Sequence, residues 1–241
     1  VTRTYRQHRY RRPEGATELL VVRHGESEPA VPGSPFPLVD GHGDPALAPE
    51  GREQARHVAE RLAGEEVEAI YVTTLRRTAE TAAPLAAATG LTPLVEPDLR
   101  EVHLGEWEGG LLRQKAAAGD PLFVELAARQ RWDVIPGAEP QARFVARLRA
   151  GVGRIVAANP DRRVAVFTHG GVIGQLVALA LDAPVAMRLA GADNGSITHL
   201  VVHGEHWHLR RYNDTAHLPG GLDRPGAHPD PDTPAGPAFS A

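Results

Sequence analysis

Continuous apolar runs set the framework of this chain. Leu19-Leu20-Val21-Val22 and Val164-Ala165-Val166-Phe167 are too short for helices and do not alternate, the pattern of strands buried on both faces of a parallel sheet. Ala69-Ile70-Tyr71-Val72 repeats it, and Leu91–Glu96 predicts a shorter strand. Between these runs the apolar positions switch to helical spacing. Ala55, Val58, Ala59 and Leu62 form one stripe of a helix over Glu50–Ala63, and a second helix runs from about Leu75 to Ala88. Phe144, Val145, Leu148, Val152, Ile155 and Val156 mark a longer one over Pro140–Ala158, and another spans Val172–Leu181. Leu111–Ala128 reads as two short helices broken near Gly119-Asp120-Pro121. Ser196–His203 and His206–Tyr212 alternate about a His203-Gly204-Glu205-His206 turn and predict a hairpin. Alternating strands and helices predict an α/β fold around an open, mostly parallel sheet.

The segments outside this pattern are of three kinds. Residues 1–17 are basic and irregular, with five arginines and no acid before Glu14; they read as a solvated arm or an edge segment laid on the domain. Pro29–Pro49 is a proline- and glycine-dense loop directly after the first strand, the place for a binding loop or lid, with His42 as a surface turn residue. Residues 219–241, rich in proline, glycine and acids, cannot bury a core and are expected to be disordered. One domain over 18–218 remains, which a chain of 241 residues accommodates with a large core.

Composition removes several chemistries. Cysteine is absent, so disulfides, thiolate nucleophiles and cysteine metal sites are excluded. A formal net charge of -4 gives no general case for nucleic acid, and no apolar run is long enough to span a bilayer or serve as a secretory signal, which points to the cytoplasm. Lys115 is the only lysine, so an abundance of arginine is a compositional habit here and not in itself a sign of function.

The two strongest strands end alike, in Arg23-His24-Gly25 and in Thr168-His169-Gly170-Gly171. In an open α/β sheet ligands gather beyond the carboxyl ends of the strands, so both histidines are expected at one site. Thr73 and Thr74 end the Ala69–Val72 strand, either being able to cap the next helix. Arg76 and Arg77 then fall in that helix's first turn. The macrodipole disfavours cations there, which suggests a shared anion. His199, His206 and His208 suggest a metal site, but of these only His206 and His208 share a strand face and no acid or third ligand is spaced convincingly with them, so a solvent-facing strand is the reading; no metal or cofactor is expected.

Arg23-His24-Gly25-Glu26-Ser27, then Thr73-Thr74-Leu75-Arg76-Arg77-Thr78-Ala79-Glu80-Thr81-Ala82, then Leu99-Arg100-Glu101 leading to Gly105-Glu106-Trp107-Glu108-Gly109, then Thr168-His169-Gly170-Gly171 resemble the histidine phosphatase superfamily, which includes phosphoglycerate mutases. The blocks occur in the family's order and extend from Leu19 to about Leu218. The resemblance implies a three-layer α/β sandwich, helices flanking a mostly parallel central sheet, and phosphohistidine chemistry on a small phosphomonoester. His24 is then the nucleophile, Glu101 the general acid and base, and Arg23, Arg77, His169, Gly25 and Gly170 the phosphate contacts. Arg77 is assigned over Arg76 because the family's serine-x-leucine-x-arginine pattern falls on Thr73, Leu75 and Arg77.

The departures are mild. The family's usual asparagine after the first motif falls on Ala30, threonine replaces serine at position 73, and Pro136-Gly137-Ala138-Glu139-Pro140 carries proline where serine is usual. The short Glu101–His169 segment and Gly170-Gly171-Val172-Ile173 favour the phosphatase branch over a mutase. A non-catalytic binding relative would be expected to lose His24 or Glu101, and both are present. A lipase-type reading of His169-Gly170-Gly171 fails for want of a Gly-x-Ser-x-Gly. Walls of the substrate site are expected from Pro29–Pro49 and Leu111–Trp132, where Arg113, Arg129 and Arg131 either meet a second anionic group or are solvated helix residues. Oligomeric state is left open, a homodimer being one option.

Overall fold

The computed structural model describes residues 4–183 and 191–220. Strand β1 (Thr17–Arg23) is central. It pairs in parallel with β6 (Arg163–Thr168) and antiparallel with β7 (Ile197–His203). The full order is β5-β4-β6-β1-β7-β8, with β4 (Ala69–Val72) and β5 (Leu94–Val95) parallel to β6, and β8 (His206–Asp214) closing the other edge as the return of the hairpin. A two-stranded ribbon, β2 (Leu38–Val39) and β3 (His42–Gly43), forms inside the proline-rich loop.

Because side chains alternate across a strand, each buried strand supplies two cores. Leu19 and Val21 of β1 face α5 (Gln141–Ala158) and α6 (Gly170–Ala180), packing with Leu148, Val152, Ile173 and Leu176. Leu20 and Val22 face α1 (Pro49–Leu62) and α2 (Arg76–Thr89), packing with Val58, Leu62, Ala82 and Leu85. The result is the expected three-layer sandwich. A satellite cluster of Trp107, Leu126 and Ile135 lies with α3 (Leu111–Ala117) and α4 (Pro121–Arg129).

Two local expectations need correction. Leu91–Glu96 pairs only at Leu94 and Val95, both exposed, because this is the sheet's edge and Pro93 and Pro97 have no amide hydrogen to donate. His199 is buried, not solvent-facing: its Nε2 lies 3.4 Å from the Glu18 carboxylate, an ion pair when the imidazole is protonated. His206 and His208 are exposed as read, and among the described residues no histidine and acid cluster has the makings of a metal site. Residues 4–13 run without regular structure, Tyr10 stacking under Arg210 of β8 with the guanidinium 3.7 Å from the ring centre. The predicted tail lies outside the described residues from position 221 on. Among the described residues no helix is long and apolar enough to cross a membrane.

Candidate active site

Three parallel strands end side by side and deliver the site. β1 ends in Arg23 with His24 just beyond it, beyond β4 comes Thr73, and beyond β6 comes His169. The antiparallel β7 begins at this same edge, so the turn before it adds Asn194, whose Nδ2 donates to the His24 carbonyl at 2.8 Å. Gly25 is required by space: a Cβ there would stand 2.4 Å from the Gly51 carbonyl oxygen of α1, a backbone contact no rotamer relieves.

The two ring nitrogens of His24 have distinct jobs. Nδ1 lies 2.7 Å from the Gly25 carbonyl oxygen, which only accepts, so Nδ1 carries the proton. Arg77 Nε, which only donates, lies 3.2 Å from Nε2, so Nε2 presents its lone pair. Burial first, and then the Arg77 and Arg23 guanidinium charges, hold the imidazole well below its ordinary range and keep it neutral. The same burial lowers Arg77 to about 10; its Nη1 donates to the Gly43 carbonyl at 2.9 Å.

His169 is fully buried, with its ring 5.2 Å from that of His24. Burial, then Arg77, lowers it well below its ordinary range too. Its Nε2 hydrogen-bonds Thr73 Oγ1 at 3.0 Å, while Nδ1 has no partner among the described residues. Thr73 therefore does not cap α2 as expected. That helix starts from Leu75 with no side-chain cap. Arg23 donates through Nη1 to the Ala192 carbonyl at 2.5 Å, and its buried Nε is also unpaired among the described residues. Two buried unsatisfied donors or acceptors beside a neutral imidazole make a site prepared for an anion with several oxygens.

Glu101 enters from the loop after a short 3₁₀ turn at Pro97–Leu99. Its Oε2 accepts from Gly171 N at 3.1 Å, in the first turn of α6, and its Oε1 from Val102 N at 3.0 Å. Gly170 lies close to Arg23, where a Cβ would come within 3.4 Å of Nε. The sequence-assigned Arg23, His24, Gly25, Arg77, Glu101, His169 and Gly170 are thus gathered at one edge of the sheet. Arg76 is exposed and paired to Glu80 at 2.9 Å.

A cleft of about 1120 Å³ opens from Arg23, His24 and Asn194. Its walls include Pro29, Ala30, Pro32, Ala48, Pro49, Ala117 and Ala118, with Glu26, Ser27, Glu50, Arg113 and Gln114 as its other polar groups. Ala30 thus lies on the wall where the family pattern has an amide. Arg113 donates to Ser27 Oγ at 2.7 Å and to the Glu28 carbonyl at 2.8 Å, the one arginine of the expected three that reaches the cleft. Arg129 and Arg131 are exposed and paired with Glu125 and Asp133. His42, expected on the surface, is buried edge-on against His103, with ring centres 5.1 Å apart. Its covering comes from a loop some sixty residues later, which no local pattern signals.

The sequence profile of the histidine phosphatase superfamily (branch 1) matches residues 19–215. The chain belongs to this superfamily. It is 36% identical over 199 residues to a glucosyl-3-phosphoglycerate phosphatase of Mycobacterium tuberculosis, covering 78% of this chain and 86% of that one. The native structure of a mycobacterial glucosyl-3-phosphoglycerate phosphatase superposes with a TM-score of 0.69 at 34% identity, covering 83% of this chain and 100% of that one. A phosphoglycerate mutase of Bacillus anthracis, 23% identical, shares the fold with a TM-score of 0.70 over 85% of this chain and 96% of that one.

Proposed function

We propose that this chain hydrolyses small phosphomonoesters through a covalent phosphohistidine on His24. The observation that carries the reading is the pair of bonds on the His24 ring, which hold the proton on Nδ1 and the lone pair on Nε2 of a neutral imidazole. Nε2 attacks phosphorus; the N–P bond forms as the ester P–O bond breaks, and the departing electron pair takes a proton from Glu101. Water then gives that carboxylate its proton and attacks phosphorus, and the N–P bond electrons return to Nε2. Arg23, Arg77 and His169, with the backbone at Gly170, meet the phosphoryl oxygens and offset charge in both transition states, while the Gly25 amide, expected among these contacts, is committed to Thr81 Oγ1 at 3.0 Å. Arginines fixed around the phosphorus supply the positive charge that other phosphatases draw from a metal ion.

Hydrolysis is favoured over a mutase's transfer because the similar mycobacterial proteins are phosphatases. Their phosphoglycerate-type substrate carries a carboxylate, and Arg113 is the cleft cation such a group would find. The same reading takes residues 18–218 as the catalytic domain, with 1–17 as an arm, acting in the cytoplasm on a soluble metabolite. The net charge of -4 supports a small substrate over nucleic acid.

Phosphate release from a panel of phosphomonoesters, compared between the wild type and His24→Ala, tests this reading. Release that the substitution abolishes is expected, together with an acid-labile, alkali-stable phosphoryl label on the wild type. Equal release by both proteins would remove His24 as nucleophile, and release by neither would remove the hydrolytic reading.

A further inference from the structure

One half-buried arginine outside the phosphate pocket, Arg147, is tied to the loop that carries Glu101. Arg147, on α5, donates through Nη1 to the carbonyls of Asp98 at 2.6 Å and Arg100 at 2.7 Å, and through Nη2 to the carbonyl of Glu101 itself at 2.9 Å. The remaining donors go to Glu139, Nε to Oε1 and Nη2 to Oε2, both at 2.8 Å. Glu139 in turn accepts from His103 N, and its own amide donates to the His103 carbonyl at 2.9 Å. The loop is gripped on both sides of Glu101.

The rest of α5 serves the same contact. Positions 147, 151 and 154 fall on one helix face. At Gly151 the loop comes so near that a Cβ would lie 3.2 Å from the Asp98 Cβ. Arg154 is bidentate to Glu96, at 2.7 and 3.0 Å, and also pairs with Asp98. A planar five-donor fork that satisfies three carbonyls and a carboxylate fixes a loop in a way a point charge cannot. Such rigidity has a use at this place, since a general acid must meet the leaving oxygen within a few tenths of an ångström.

We infer that Arg147, backed by Glu139, is the positioning residue for Glu101, setting the height of its carboxylate over the nucleophile. This rests on the role given to Glu101 above, and its consequence depends on the leaving group. An alkyl phosphomonoester expels an alkoxide that needs the Glu101 proton, whereas p-nitrophenyl phosphate expels a stable anion that does not. The ratio kcat/KM covers steps up to the first leaving group's departure and excludes hydrolysis of the phosphoenzyme.

The test is Arg147→Met and Glu139→Gln, with Arg147→Lys as partial rescue, each confirmed folded by its thermal transition. For Arg147→Met we expect kcat/KM on an alkyl phosphomonoester to fall about 30-fold or more, and on p-nitrophenyl phosphate no more than about threefold. Glu139→Gln is expected to give the same selectivity at smaller amplitude. Equal losses on both substrates, or none, would overturn the inference. Amide hydrogen exchange gives a readout independent of turnover: Arg147→Met should speed exchange across residues 99–104 and leave β1 and β6 unchanged. Unaltered exchange there would refute the clamp even if the wild type proves inactive on every phosphomonoester, a result that would instead count against the catalytic reading.

Discussion

Gly171→Ala should separate stability from catalysis. A Cβ at position 171 would lie 2.5 Å from Glu101 Oε1 and 3.2 Å from its Cδ. That is about 1 Å inside ordinary contact, so the carboxylate must withdraw by roughly that amount and give up the Gly171 amide. Alanine is worth up to about 1 kcal/mol over glycine in a helix interior, and the lost charge-assisted hydrogen bond about 1.5–3 kcal/mol, part of which water restores at this half-open position. The net change in unfolding free energy is then about 1 kcal/mol or less. The displacement acts on the chemical step, where misplacing a group by about 1 Å costs on the order of 100-fold. Steady-state kinetics on an alkyl phosphomonoester and urea denaturation measure the two quantities on one preparation. Gly153→Ala, also in a helix but with nothing within 4 Å of the new Cβ, is the control and should gain about 0.5–1 kcal/mol at unchanged activity. If kcat/KM for Gly171→Ala stays within about threefold of wild type, the carboxylate's seat on α6 does not matter and the reasoning fails.

Two further outcomes follow from the same geometry. Thr73→Val removes the hydroxyl from a fully buried imidazole and should cost about 1–3 kcal/mol of stability by leaving His169 Nε2 unpaired; a change below about 0.5 kcal/mol in chemical denaturation would mean the bond contributes nothing. His24 and His169 are both held neutral in the folded protein below the ordinary imidazole range, first by burial and then by Arg77. Above about pH 6.5 neither the folded nor the unfolded chain protonates them, and their contribution is complete; as pH falls further the unfolded chain takes up protons the folded one refuses, and stability drops by up to about 1.4 kcal/mol per pH unit for each, until the folded values are reached. Unfolding free energies of His24→Gln/His169→Gln measured from pH 7 to 5 should therefore fall less steeply than wild type, and parallel slopes would contradict the assignment.

What could be read from the chain follows from what local pattern encodes. β1 and β6 were legible because strands buried on both faces leave continuous apolar runs, and the histidines beyond them were legible because such strands end at one edge. Thr73 was not: its hydroxyl looks like a helix cap until His169, ninety-six residues away, is seen to take it. His42 was hidden by the same distance effect, its neighbour His103 arriving from another loop. Asn194 had a faint signal, since a hairpin strand beside β1 must start where β1 stops. The grip of Arg147 had none, because in the sequence it is one more arginine on the polar side of an amphipathic helix.

The position of β1 also constrains how this protein is made. It is the first strand of the main sheet to leave the ribosome and lies at the sheet's centre, yet its partners are β6 and β7, with the Glu18–Arg163 contact closing a separation of 145 residues. Until those partners are synthesised, Leu19-Leu20-Val21-Val22 has nothing to pair with, and the phosphate pocket has no floor. Folding must wait for nearly the whole domain, which makes it slow and leaves an uncovered apolar strand on the nascent chain as a natural client for chaperones.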